Sequence, residues 1–376
     1  MQPETLLSYY PTYSILDEIV QRGNYDTLNI FIDLKNNLQT LYMEHAVIGI
    51  VEATNQSRRW DASIFISFMN FISFHKKYAV KRNIKVNFYV FFETGTSIYH
   101  KNIRKKYKIR RHTDDLYGLD RESRELFTNV VQKNLQLIEK VGNTMPNVKV
   151  IRLHNLEADF VPYLLISRKL VDRSSNVANL TYSNDHDLYQ NLLDKNCFNF
   201  IKNKKKRTIV AKNEVISTYV KKPISLPDEY LPVLMAIMGD PGDDVDGIKG
   251  IGPAISASIV EDVIKEAGGL SNLYKNVGSN KKIFGDDIKK QNKYMKLVYD
   301  NETNKKLISD NLKLVSFELI SREFVNPSTT EMLQRRDKFA NFYRSKKRIT
   351  SYHDLVNGLS DLRIYVDDDV LQSMYF

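Results

Sequence analysis

Cysteine is nearly missing. Cys197 is the only one in 376 residues, which excludes an internal disulfide framework and a cysteine-ligated zinc cluster. The lone thiol reads as packing, not as a nucleophile. Long apolar runs are missing too: none reaches the ~20 residues that span a bilayer. The segment Met1 to Val20 lacks the basic start and unbroken apolar core of a secretory signal. A cytoplasmic protein is expected, bacterial or in a phage-infected host, with no membrane partner. Tandem repeats and long low-complexity segments are also absent. Acidic residues are in deficit, 45 against 55 Lys and Arg for a net charge of +10, which suits an anionic partner and also suits plain solubility. With 42% hydrophobic and 27% charged residues, the chain should fold as one large domain plus a smaller one.

Short apolar runs that end in carboxylates are what the chain does have. Residues 28–34 (LNIFIDL) read as a buried strand that ends at Asp33, and residues 86–92 (VNFYVFF) as a second that runs into Glu93. Residues 148–153 (VKVIRL) are a third, leading to Glu157 and Asp159. Residues 179–187 (NLTYSNDHD) are a fourth, running into Asp185 and Asp187. In open parallel sheets the C-terminal strand edge is where sites assemble. Taken singly, each acid has a plainer reading: Asp33 as a helix cap, Glu157 and Asp159 as charge at a helix start. His186, between two aspartates, reads as a spacer. Helices are expected over residues 36–54, 61–82 and 228–238, and residues 202–207 (KNKKKR) form a basic run, with Lys204 and Lys205 at its centre, in an expected hairpin. That run is either a solvated turn or a nucleic-acid contact; no amphipathic helix supports a membrane tether.

Residues 238–258 (MGDPGDDVDGIKGIGPAISAS) combine two features. Asp240 and Asp243 stand on a tight turn after an apolar helix, a place to collect hard cations. Gly247, Lys249, Gly250 and Gly252 then form a glycine hairpin that opens a new helix, where free backbone N–H groups can face phosphate. If the eight acids Asp33, Glu93, Glu157, Asp159, Asp185, Asp187, Asp240 and Asp243 converge, their repulsion requires compensation by divalent cations.

The GDxxD turn joined to a GxxGIG hairpin resembles the flap endonuclease and 5′-to-3′ exonuclease family, nearest to its phage RNase H-type branch. The resemblance spans roughly residues 28–317. The Tyr107, Lys108, Arg111 set matches a YKxxR-like arch motif, Glu157-Ala158-Asp159 an EAD signature, and Ser183, Asp185 and Asp187 an S-x-D-x-D pattern. It implies a parallel-sheet PIN-like α/β nuclease domain over residues 1–225, with a mobile helical arch at about 97–145. A helical helix-three-turn-helix domain over 226–325 and an extension over 326–376 would follow.

It further implies two Mg2+ ions, replaceable by Mn2+, on the eight acids, and Lys108 and Arg111 on the scissile phosphate. Tyr107 would stack on a terminal base. Arg104, Lys204, Lys205 and the hairpin would hold DNA, with K+ on the hairpin carbonyls. The implied activity is cleavage at or near 5′ ends of flapped, nicked or RNA-primed duplexes in replication or repair, by a monomer. Rival readings are a DNA-binding replication scaffold that has lost catalysis and a PIN-like ribonuclease. The chain departs from the pattern at Glu93 for an aspartate, Phe160 for an acid, Leu34 for a glycine and Ala254 for a lysine. The last ten residues, 367–376, read as a packed terminus or as a peptide for a sliding clamp or a single-strand-binding protein.

Overall fold

The computed structural model describes residues 13–34, 63–108, 121–172, 174–202, 207–283, 293–299 and 301–326. Arg111, Lys204, Lys205, the expected helix at 36–54 and the 367–376 tail lie outside them. In chain order the elements are α1 (Tyr13–Gly23), β1 (Thr27–Asp33), α2 (Ser63–Arg82), β2 (Lys85–Thr94), α3 (Ile98–Ile103), α4 (Arg121–Gly142), β3 (Val148–His154), α5 (Val161–Ser167), β4 (Val177–Tyr182), β5 (Cys197–Lys202), β6 (Arg207–Ala211) and α6 (Val215–Val220). Then follow α7 (Leu231–Met238), α8 (Pro253–Glu266), α9 (Leu270–Gly278), α10 (Lys293–Tyr299), α11 (Glu302–Val315) and α12 (Phe317–Val325).

Among the described residues there is a six-stranded sheet in the order β3-β2-β1-β4-β5-β6. The first five strands run parallel and β6 returns antiparallel on β5. Strand β1 has β2 on one side and β4 on the other, so the winding reverses there. In such a sheet the crevice beyond the C-terminal ends of the reversing strands is the ordinary ligand position, and Asp33 ends β1 at that point. Burial explains why β1 reads as one apolar run: Phe31 faces one core cluster while Ile30 and Ile32 face another, as a strand covered on both sides requires. An asparagine row, buried at Asn29 and Asn179 and half-buried at Asn87, fixes the register. Asn87 Nδ2 donates to Asn29 Oδ1 (3.0 Å), and Asn29 Nδ2 donates to Asn179 Oδ1 (3.0 Å), both across paired positions. A one-residue slip would break both bonds and turn every side chain to the opposite face.

The second half of helix α4, inside the stretch expected as the arch, packs on the body of the domain. Val131, Leu135, Ile138 and Val141 recur at helical spacing and are buried with α2 and the sheet, and Asn134 Oδ1 accepts from Phe65 N (3.0 Å). This half of the helix is scaffold because its apolar stripe has a core to cover. The fourth strand is also shorter than the run that suggested it: β4 stops at Tyr182, and Asp185 caps a 3-10 turn over His186–Asn191.

On the other face of the sheet, one apolar cluster holds Phe31, Tyr89 and Phe91 together with Leu234, Ile259, Leu312 and Phe324 of the later helices. Helix α7 lies at its centre, buried from Leu231 to Ile237. It ends at Gly239, whose φ of +78° reverses the chain. Asp240 and Val245 then exchange backbone bonds (N to O 2.8 Å and 2.9 Å), closing a six-residue turn around Pro241–Asp243. Gly247 passes so close to the end of α7 that a Cβ there would stand 1.8 Å from Met238 O. No helix among the described residues is long and apolar enough to cross a membrane.

The close pass gives a stability prediction. Gly247→Ala should cost about 3 kcal/mol or more, because backbone must move. Gly250→Ala has open space around it and only its φ of +85° to oppose it, so it should cost about 1 kcal/mol. Denaturant midpoints of the two variants check this; equal shifts would contradict the pinch.

Candidate active site

Five connections deliver the acids to one edge of the sheet. Asp33 ends β1 and is buried, and Glu93 is the last residue but one of β2. Glu157 and Asp159 lie in the loop from β3 to α5, which Asn155 pins by donating its N–H to Thr94 O (2.7 Å) and accepting at its own carbonyl from Ile98 N (3.0 Å). Past β4, Ser183 Oγ accepts from Asp185 N (3.0 Å), and Asp185 Oδ1 accepts from Asp187 N (3.1 Å). This chain of side-chain caps gives the S-x-D-x-D spacing a physical reason. Past α7, Asp240 Oδ1 accepts from Gly242 N (2.8 Å), and Asp243 is buried.

The acids act on one another electrostatically as two sets, and Asp185 belongs to both. Withdrawal from solvent raises the Asp159 carboxyl well above its ordinary value, and the charges of Asp33, Glu93, Asp185 and Glu157 raise it further. Asp187 is raised well above its ordinary value by burial, then by Asp185, Asp243 and Asp240, with Lys108 opposing. Asp187, Asp240 and Asp243 each bring a carboxylate oxygen within 4.8 Å of the others. The donors are all carboxylate oxygens, and Asp187 among them is kept towards its protonated form first by burial and then by its acidic neighbours. That donor chemistry fits a hard divalent cation.

Lys108 spans the two groups. Its Nζ lies 2.5 Å from Glu157 Oε1 and 3.0 Å from Asp243 Oδ2, and its N–H donates to Asp243 O (3.2 Å) from a left-handed backbone, φ +54°. Burial would raise the Glu157 carboxyl, but the Lys108 ammonium, helped by His100, holds it below the ordinary glutamate value. The Tyr107 hydroxyl lies 3.0 Å from Glu157 Oε2 and 3.1 Å from Asp243 Oδ2, and donates to one at a time.

Several expectations change here. Tyr107 is 4% exposed and its ring stacks on His100 at 4.6 Å, so in this structure it serves the carboxylates and offers no open face to a base. Arg104, expected on nucleic acid, has its guanidinium on Asp244 O (3.2 Å) and Asn311 Oδ1 (2.8 Å) within the protein. Gly247 is an internal contact. Lys249, Gly250 and Gly252 are exposed, and Gly252 opens α8 with Pro253 next and no side-chain cap. Phe160 is buried edge-on to Phe324 at 5.3 Å.

The structure also adds residues. Tyr219 of α6 stands edge-on to His186 at 5.7 Å, and burial and then Asp187, Asp240 and Asp185 raise its hydroxyl, which places it beside the second acid group. His100 is buried between Ser97, Tyr107 and the Leu314 carbonyl (3.1 Å). Neither stands in a motif; the only sequence signal for His100 is its place seven residues before Tyr107.

No family model and no curated protein matches the sequence. Solved structures do match. The bacteriophage T5 flap endonuclease, in a pseudo-enzyme–product complex with DNA and metal ions, superposes with a TM-score of 0.55 at 16% identity, over 84% of this chain and 99% of that one. The T5 5′-exonuclease with zinc bound gives 0.54 at 18% identity, over 84% of this chain and 100% of that one. At such identities the likeness is one of fold, and the chain has the fold of the T5 5′-exonuclease.

Proposed function

We propose that the chain is a metal-dependent, structure-specific 5′ nuclease. The observation that carries this reading is the convergence of the Asp187, Asp240 and Asp243 carboxylate oxygens within 4.8 Å of one another, with the Lys108 ammonium bridging Asp243 to Glu157. Asp33, Glu93, Glu157, Asp159 and Asp185 would hold one Mg2+ ion, and Asp185, Asp187, Asp240 and Asp243 a second; Mn2+ has the same preference for oxygen. The chemistry such cations supply when bound is Lewis-acid activation of water and stabilisation of the leaving oxygen of a phosphodiester.

The chain's own groups do the rest. Lys108, on a flexible stem, can transfer its ammonium from Glu157 to a phosphoryl oxygen, with Arg111 as its partner, and so offset charge that grows during displacement. Tyr107 keeps Glu157 and Asp243 oriented by hydrogen bonding. Lys249 and the open hairpin at Gly250 and Gly252 would grip the duplex backbone, with K+ on the hairpin carbonyls, and Lys204 and Lys205 would add charge. Backbone contacts carry little sequence information, so the substrate is a structure: a 5′ flap, a nick or an RNA-primed end in replication or repair. Residues 1–225 and 226–325 would act as the nuclease and duplex-binding parts over their shared core, with 326–376 as an extension.

Three outcomes test the reading. On a 5′-labelled flap duplex, wild type should cut with Mg2+, and Asp185→Asn should cut at least about 100-fold more slowly, several kcal/mol of lost stabilisation. Retained cleavage by the variant would remove the site assignment. No cutting by wild type would favour a scaffold, and preference for single-stranded RNA a PIN-like ribonuclease.

Asp159 and Asp187 have raised carboxyls, so their contribution to stability is present below the ordinary aspartate value of 3.8 and lost as pH rises through the raised values. A cation reverses that loss. Added Mg2+ should therefore raise Tm more at pH 8 than at pH 5; an equal rise at both would count against cation binding by these two groups.

Lys249→Ala should weaken duplex binding equally across sequences and reduce the slope of log K against log salt by about one. Unchanged binding with an unchanged slope would remove the hairpin's phosphate role.

A further inference from the structure

Asn311, on α11, is completely buried and its amide joins three segments that are far apart in sequence. Its Nδ2 donates to Ala236 O (2.8 Å) and to Asp246 O (2.7 Å). Its Oδ1 accepts from Arg104 Nη2 (2.8 Å). The orientation of the amide follows from these partners, because a flipped amide would set its oxygen against two carbonyls.

The bond to Ala236 answers a need of the backbone. In a continuing helix Ala236 O would accept from Asp240 N, but that N–H goes to Val245 O (2.8 Å), leaving a carbonyl that a helix end must satisfy from outside. Ala236 and Asp246 bracket the turn that carries Asp240 and Asp243, so one side chain closes both ends of that turn. Arg104 continues the link. Its guanidinium also donates to Asp244 O (3.2 Å) within the turn and lies 3.6 Å from Asp246 Oδ2. Arg104 caps α3, and its carbonyl accepts from Tyr107 N (3.1 Å), one residue before Lys108.

We propose that Asn311 and Arg104 are a positioning pair that sets the Asp240–Asp243 turn and the Lys108 segment in register, and thereby sets the affinity of the Asp187, Asp240, Asp243 group for a divalent cation. Neither residue belongs to the carboxylate set that would hold the cation, and their recorded partners are within the protein. The proposal deepens the nuclease reading but has a readout that does not depend on cleavage.

The test is titration calorimetry of the full chain with Mg2+ alone. Arg104→Ala should weaken Mg2+ binding about 10-fold, the scale on which residues behind metal ligands act. Loss of a positive charge near acids would by itself tighten binding, so the expected sign is opposite to that of a charge effect. Arg104→Lys keeps the charge but lacks the planar fork, and should also bind weakly. Asn311→Ala should weaken binding comparably, and the double variant should be no weaker than the worse single one, as partners in one network behave.

Mg2+ binding by Arg104→Ala as tight as wild type or tighter, or losses that simply add, would overturn the proposal. If Asn311→Ala does not fold, Arg104→Ala decides alone: its side chain is 17% exposed, and its removal leaves both Asn311 donor bonds in place. Failure of the nuclease reading would show instead as absent flap cleavage by wild type with these Mg2+ affinities still shifted.

Discussion

Carboxylates repel one another, and this protein gathers eight of them at one sheet edge. Asp159 and Asp187 register the effect most strongly: both are pushed towards the protonated form first by withdrawal from water and then by the neighbouring acids. Hydrophobic burial elsewhere must hold the edge together. The fully covered β1 and α7, with the apolar cluster that joins them, supply that cohesion. A site built this way is destabilised by its own charge, as sites prepared for a cation are, and stability is recovered when that charge is neutralised.

Among the described residues, Lys108 is the cation that lies between the carboxylates of this edge, and its place depends on more than Coulomb attraction. The segment from Ser97 to Lys108 is fastened to the later helices at successive points: Tyr99 Oη donates to Lys313 O (3.1 Å), His100 meets Leu314 O, Arg104 meets Asn311, and Lys108 N–H meets Asp243 O. Gln190 makes a parallel link from the 3-10 turn after β4, donating to Val315 O (2.9 Å) and accepting from Phe317 N (3.0 Å). The C-terminal end of α11 thus acts as a common anchor for the loops that carry acids and the segment that carries the ammonium. Motion of either loop would be felt at both carboxylate groups.

The acids were legible because their positions follow from local rules. A covered parallel strand must be an apolar run, its C-terminal end is where a sheet of this winding opens a crevice, and an acid placed there needs no knowledge of the rest of the chain. The turn after α7 was legible for a similar reason: Gly239, Pro241 and Gly242 around two acids, directly after an apolar run, mark a tight turn.

The roles of Arg104, Tyr107 and Gly247 were not legible. Each stands in a stretch that reads as surface or as nucleic-acid contact, and each is turned inward by partners more than a hundred residues away, or in Gly247 by the end of the helix just before it. Asn311 and Tyr219 left no signal at all, since hydrogen bonding by a single buried side chain has no periodicity. Local patterning thus determined which residues could bear charge at the sheet edge. Only the packing of the later helices against the sheet decided which polar side chains would face that charge and which would hold it in place, because such contacts depend on distances in space that spacing along the chain does not encode.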